Sequence, residues 1–398
     1  MNKFHLANQL SNPDYKASRI MKRFYMARKT SIVAIIILFS IFMAMSNNTY
    51  AAKKPEGYVE IEVDKPVKCK FYIEDGVLLD YSGDAHEVVI PDTVTRIGEN
   101  VFRGENTRNI IIPDSVEYID DYAFWSCSLE EVRLSNSLKY IGVGAFGKTK
   151  LKEIQFPDKL TTIGDVAFSE CKSLSSIDFP DGHINVGQYA FEETAWLNQE
   201  REKNSLVIAG GILVDAQTAS GKVIIPDTVK IIGGGAFMYN DNLKEVTIPS
   251  SVVDIQADAF YGCDGIKKVV VPSSVVTIGD RAFQFCRSLV SVTIANSVKR
   301  IGEDAFSYNE KLKTIQIPAS IKEIGYNAFE DTVWLKEIKK KSTLVIINGI
   351  LINGDNAKGN VVIPKSVKCI NDGAFCGNDD ITKVTIPDSV TKIGKRAF

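Results

Sequence analysis

The chain has 398 residues, 45% apolar and 24% charged, which is enough to bury a core and excludes a disordered, collagenous or polytopic membrane protein. Its net charge of -2 hides an asymmetry: residues 1–51 hold seven Lys or Arg against one acid, Asp14, for +6, so the remainder carries -8. Only three His are present, His5, His86 and His183, too few and too scattered for a His-rich zinc or iron site.

The basic leader comes first. Lys22, Arg23, Arg28 and Lys29 precede an uncharged apolar run over residues 31–45, and Thr49-Tyr50-Ala51 places small residues at -3 and -1. This pattern predicts a signal peptide over 1–51, cut before Ala52, with Met21 or Met26 as alternative starts. The run of 15 residues is shorter than the roughly 20 that span a bilayer, so no membrane span is expected after cleavage. A lead-in over 52–70 follows.

From residue 71 the sequence repeats. Phe stands at 102, 124, 146, 168, 191, 237, 260, 283, 306, 329, 375 and 398, at intervals of 22 or 23 with two gaps of 46, and Ala precedes every one except Phe102, which follows Val101. Eleven residues before each Phe stands Pro, replaced only by Ser135 and Ala295. A period of 22 to 23 residues lies in the leucine-rich-repeat range. Ahead of the Pro, a segment such as residues 243–248 alternates β-branched and polar residues, which predicts a strand with one buried face. The Pro ends it, because it has no N–H to continue a ladder. Six residues later comes Ile or Val, then Gly at nine of twelve sites, Asp120, Gln256 and Asn371 being the others. A recurring tight turn in the left-handed region is expected there. The Phe column is expected to form a buried aromatic ladder, each ring contributing roughly 2 to 3 kcal/mol through burial.

Units such as IPDSVEYIDDYAFWSC (residues 112–127) and IPSSVVDIQADAFYGC (residues 248–263) resemble the BspA-like, or Treponema-type, leucine-rich repeats of bacterial surface proteins, over residues 71–398. The resemblance implies a mostly β fold, a curved right-handed leucine-rich-repeat solenoid of 22–23-residue repeats. A parallel sheet would line one face, with short turns or 3-10 segments on the other. It also implies adhesin-like, non-catalytic binding of a macromolecule.

A longer period overlies the short one. Segments beginning at Phe71, Leu206 and Leu344 align without gaps up to Pro91, Pro226 and Pro364, each reading as two short strands and a turn. They divide the array into blocks 71–205, 206–343 and 344–398, the last incomplete, so the array is expected to continue past Phe398 in the gene. FEETAWL (residues 191–197) and FEDTVWL (residues 329–335) precede the second and third segments.

The sequence contains no Walker loop, dinucleotide-binding glycine turn, Cys-x-x-Cys pair or His-Glu-x-x-His run, so no enzyme activity, cofactor or metal is expected. Cys127, Cys171, Cys263 and Cys286 fall three residues after a repeat Phe and read as buried thiols, while Cys369 and Cys376 could pair. Recognition remains. The outward residues of successive strands form two columns, and Arg133, Gln155, Glu245, Lys268, Thr293 and Gln316 in them are the candidate contacts for an extracellular protein or glycan. Mixed charge along both columns argues against nucleic acid. Trp196 and Trp334 are alternative loop anchors, and the lysines around Lys339 read as a solvated loop. A second reading is a targeting or spacer module of a larger secreted or wall-attached enzyme. Oligomeric state is open.

Overall fold

A computed structural model describes residues 59–63, 69–180 and 182–398; the leader expected at 1–51 lies outside the described residues. Every coil of the array contributes two strands. The first, three to five residues long and ending just before the Pro position, builds the front of the coil: Glu87–Val89, Asn109–Ile111 and Glu131–Arg133 pair in parallel, as do Lys268–Val271, Ser291–Ile294 and Thr314–Gln316. The Pro carbonyl then accepts a hydrogen bond from the N–H three residues on, as in Val94 to Pro91 at 3.0 Å. Ser135 and Ala295 offer the same carbonyl to Leu138 and Val298, so the turn tolerates losing the ring.

The second strand has only two residues, Ile or Val being the inner one. Arg96–Ile97, Tyr118–Ile119, Tyr140–Ile141, Thr162–Ile163 and Asn185–Val186 form a second parallel sheet, and the same column recurs from Ile231–Ile232 to Glu323–Ile324. The opposite face is therefore a ladder as well as a run of turns.

The glycine that follows this strand has a different cause from the one expected. None of the nine lies in the left-handed region. A Cβ at Gly142 would sit 2.6 Å from backbone atoms of Asp120 and Asp121, and one at Gly164 2.6 Å from backbone of Gly142, so Gly is needed for the close approach of coil to coil. The left-handed residue comes two positions later in all twelve repeats, and its type varies: Asn100, Tyr122, Gly144, Val166 and Arg281 among others.

The Phe column is a stacked ladder in three runs, one per block. Within block two Phe237, Phe260, Phe283, Phe306 and Phe329 follow at 4.8, 4.9, 5.4 and 6.0 Å between centroids, with planes within 8° of parallel. Between runs a small residue takes the rung: Ala216 N–H donates to Ala236, and Gly354 N–H to Ala374, as the Phe N–H within a run does to the Ala of the next coil. Tyr81, 4.7 Å from Phe102, starts the first run. Three buried clusters follow the three blocks.

Each block begins with an antiparallel hairpin: Cys69–Glu74 with Val77–Gly83, Val207–Ala209 with Ile212–Asp215, and Val345–Ile347 with Ile350–Asn353. The outgoing strand pairs in parallel with the next back strand, as Ile212 does with Ile231. Strand Val59–Val63 adds an antiparallel edge to the first hairpin. FEETAWL and FEDTVWL start short helices, α1 (Ala195–Lys203) and α2 (Val333–Lys339), capped by Thr194 and Thr332, whose hydroxyls accept from the N–H of Leu197 and Leu335. The lysines read as a loop thus lie on or just beyond α2.

The repeat cysteines are free and buried. Each thiol donates to a carbonyl of the preceding coil, Cys263 to Phe237 at 3.0 Å and Cys286 to Phe260 at 3.1 Å; Asn309 donates to Phe283 from the equivalent place. Burial pushes Cys127 up to about 12 and Cys171 up to about 11, which makes them unreactive core groups. Cys369 and Cys376 are free and half-buried.

Candidate functional site

Alternation along each front strand sends one residue into the core and its two neighbours outward, and the parallel register stacks those neighbours into the two columns. Glu87, Asn109 and Glu131 are directly paired in one, Val89, Ile111 and Arg133 in the other. Further along, Lys268 heads Lys268, Ser291 and Thr314, and Thr293 and Gln316 continue the column of Val270.

The structure brings some of the candidate residues together and separates others. Lys268, Thr293 and Gln316 share one three-stranded sheet, with Thr293 half-buried and the other two exposed. Glu245 belongs to the two-stranded sheet before it, where Lys222 holds it at 3.1 Å. Gln155 pairs with Asp178 at 3.3 Å on a separate pair of strands, and Arg133 closes the first sheet. Arg133 and Lys268 form no ion pair among the described residues, so both charges face solvent. Beside Arg133, the Asn136 backbone N–H holds the Asp114 carboxyl below its usual range.

The feature missed from the sequence is apolar. Val89, Ile111, Ile224, Val270 and Val362 stand outward in the Arg133 column at 63, 42, 64, 50 and 67% exposure. Parallel sheets are ordinarily covered on both faces; this one presents β-branched side chains to solvent. Each was visible in the sequence as an apolar residue at an outward position, but alternation alone does not tell a bare face from a covered one.

The two candidate tryptophans, Trp196 and Trp334, do not stand on loops. Trp196, on α1, is 8% exposed and packs on Phe191 and Phe179 with centroids 5.5 and 6.0 Å away. Trp334, on α2, is half-buried with its ring 4.9 Å from Phe329. Each closes the end of a Phe run. His183 lies 3.4 Å from Asp254, and His86 lies 3.4 Å from the Asn106 carbonyl. Among the described residues no group of three or more His, Cys, Asp and Glu is placed to hold a metal ion, and no helix is long and apolar enough to cross a membrane.

Parallel strands in register on two faces, wound about a buried ladder of Phe, define a leucine-rich-repeat solenoid. The BspA type leucine rich repeat region matches residues 78–198, 216–336 and 355–398 in six copies, and the chain belongs to that family. Among solved structures, a leucine-rich repeat protein from Eubacterium ventriosum is 23% identical, the alignment covering 85% of this chain and 94% of that one at a TM-score of 0.37. The pneumococcal vaccine antigen PcpA is 17% identical over 86% of this chain and 89% of its own, at 0.34. A leucine rich cell surface protein from Faecalibacterium prausnitzii is 20% identical over 87% and 95%, at 0.27. Among curated proteins none matches. The family assignment rests on the repeats.

Proposed function

We propose that the chain is an exported, non-catalytic repeat protein that binds an extracellular protein through its front strands. The observation that carries this reading is the set of bare β-branched side chains, with Val270 at 50% exposure on the sheet that carries Lys268, Thr293 and Gln316, and Ile224 at 64% on the two-stranded sheet before it, beside Glu245. Exposed apolar side chains interspersed with polar and charged ones are the composition of a protein-binding patch. Stacking on a glycan would call for flat rings, but neither outward column of the front strands carries an aromatic residue, and Trp196 and Trp334 pack on the Phe runs. Export rests on the basic, apolar leader at residues 1–51, and N-terminal sequencing of exported material should begin at Ala52.

Binding to a panel of purified extracellular proteins and to a glycan array tests the reading. Charge reversal at Arg133 and Lys268, or Ile224→Lys with Val270→Lys, should abolish capture of a protein partner while melting stays within a few degrees of the parent. Capture that survives both changes and disappears on altering Trp196 and Trp334 would move the site to the helices. Capture of glycans alone would replace the protein reading.

A further inference from the structure

The two interruptions of the array are internal copies 138 residues apart, aligned without a gap from Phe191 and Phe329 to Phe237 and Phe375. Their polar centres differ. At the first, Arg201 at the end of α1 holds two carboxylates at once, Asp215 at 2.9 and 2.7 Å and Glu192 at 3.0 and 2.9 Å. All three side chains are largely withdrawn from solvent, at 17, 4 and 12% exposure.

At the second, Glu192 is matched by Glu330, Asp215 by Asn353 and Arg201 by Lys339. The shorter ammonium turns aside to Asp355, at 2.5 Å. The Glu330 carboxylate is left without an ion pair or hydrogen bond among the described residues, its backbone being engaged with Asn327 and Tyr308, and burial pushes its carboxyl up against the opposing pull of Lys339. Two further positions shrink: Tyr189 becomes Asn327 and Met238 becomes Cys376. A cavity of about 280 Å³ opens there, with Glu330, Asn327, Asn353 and Cys376 in its wall beside the rings of Phe329 and Tyr326.

We propose that this cavity receives a guanidinium group from outside, in the place that Arg201 fills within the chain at the first interruption. Three observations converge: an open volume, a residue in its wall whose carboxylate is unengaged, and an internal copy showing what satisfies that carboxylate. A guanidinium fits better than an ammonium because its planar fork can donate two parallel hydrogen bonds to one carboxylate and lie against an aromatic ring. Lys339, an ammonium already beside the cavity, goes to Asp355 instead. The group could arrive on free arginine or on an arginine side chain of a protein. The site is independent of the front strands.

The test is titration of the full chain with methylguanidinium, followed by NMR shifts and by melting temperature, with tetramethylammonium as the charge control. Saturable binding of methylguanidinium alone is expected, weakened about tenfold or more by Glu330→Gln, since a hydrogen bond to a charged group is lost. Lys339→Arg with Asn353→Asp rebuilds the first interruption; it should melt higher and no longer bind. In Arg201→Ala, methylguanidinium should restore part of the lost melting temperature. Reversing Arg133 and Lys268 should leave the titration unchanged, so failure here and failure of the front-strand reading are distinguishable. Blocked arginine binding better than free arginine assigns the group to a protein side chain, and the reverse order to the amino acid. Equal response to tetramethylammonium, no saturable response, or undiminished binding in the Lys339→Arg, Asn353→Asp chain would overturn the proposal, even if Glu330→Gln failed to fold.

Discussion

The side-chain amide of Gln256 acts as a strand partner for Val186, 70 residues earlier: Val186 N–H donates to Gln256 Oε1 at 3.0 Å, and Gln256 Nε2 donates to the Ile184 carbonyl at 3.0 Å. Val186 ends the back sheet of block one, and Gln256 sits in block two where most repeats carry Gly. Together with the Gly234 N–H, which donates to the Val186 carbonyl at 2.8 Å, this side chain satisfies a sheet edge that the inserted helix and hairpin would otherwise leave open. The other two departures from Gly also reach backward, Asp120 to Arg96 at 2.7 Å and Asn371 to the Gly325 carbonyl at 3.4 Å.

Restoring the repeat's own residue at this place should therefore do harm. Gln256→Gly removes these two bonds and a third, from Nε2 to Asn185 Oδ1 at 3.1 Å, and leaves Val186 N–H without its acceptor, at a cost of about 1–3 kcal/mol. Urea unfolding of the variant should show that loss, with block one separating from block two as an earlier phase. An unchanged single transition would show that the joint does not depend on Gln256.

The repeat cysteines give a second expectation. With Cys127 at about 12 and Cys171 at about 11, few thiolates exist near pH 8, and burial bars reagents as well. In the native chain a thiol reagent should modify Cys369 and Cys376, which are half-buried, while Cys127, Cys171, Cys263 and Cys286 react only after unfolding. Peptide mapping after brief labelling checks this. Labelling of Cys286 in native protein would show that the coils open locally.

What the sequence shows and hides has physical causes. The Phe column is legible because within each run a ring meets the ring of the next coil, which demands the same residue on successive coils. Outward columns are legible because strand alternation is local. The back strands escape because two residues carry no period, and the helices because α1 and α2 are brief and follow loop-like residues. The left-handed position escapes because backbone packing, not residue type, enforces it. Contacts such as Gln256 to Val186 depend on how two blocks meet, which no local pattern encodes. The apolar column was readable residue by residue, but its exposure is a property of the assembled sheet.

That enforced position yields a third expectation at Val166, a β-branched residue held at φ 49°. A side chain branched at Cβ is disfavoured there, and the matching places at Gly144, Gly235 and Gly373 are glycines. Val166→Gly should relieve strain worth about 1–2 kcal/mol, against roughly 0.5–1 kcal/mol of added chain entropy in the unfolded state, for a small net gain. Thermal unfolding should shift upward. A clear loss would mean that the valine's packing outweighs its backbone strain.

Beside other carboxyls that burial raises, such as Asp165 and Asp258, Asp304 contributes a pH dependence of its own. Burial, only partly offset by a hydrogen bond from Ser307, pushes its carboxyl up from the ordinary 3.8 to about 6. Between those two values the folded chain keeps a proton that the unfolded chain has released, so this residue makes stability fall as pH rises, with the full cost present above about pH 6. Below about pH 3.8 both states are protonated and the residue contributes nothing of this kind. Asn accepts the same left-handed backbone, φ 53°, without the charge. The melting temperature of Asp304→Asn should therefore match the parent near pH 4 and exceed it increasingly up to pH 6, with a constant gap beyond. Parallel curves over that range would mean that the carboxylate is solvated in the folded protein.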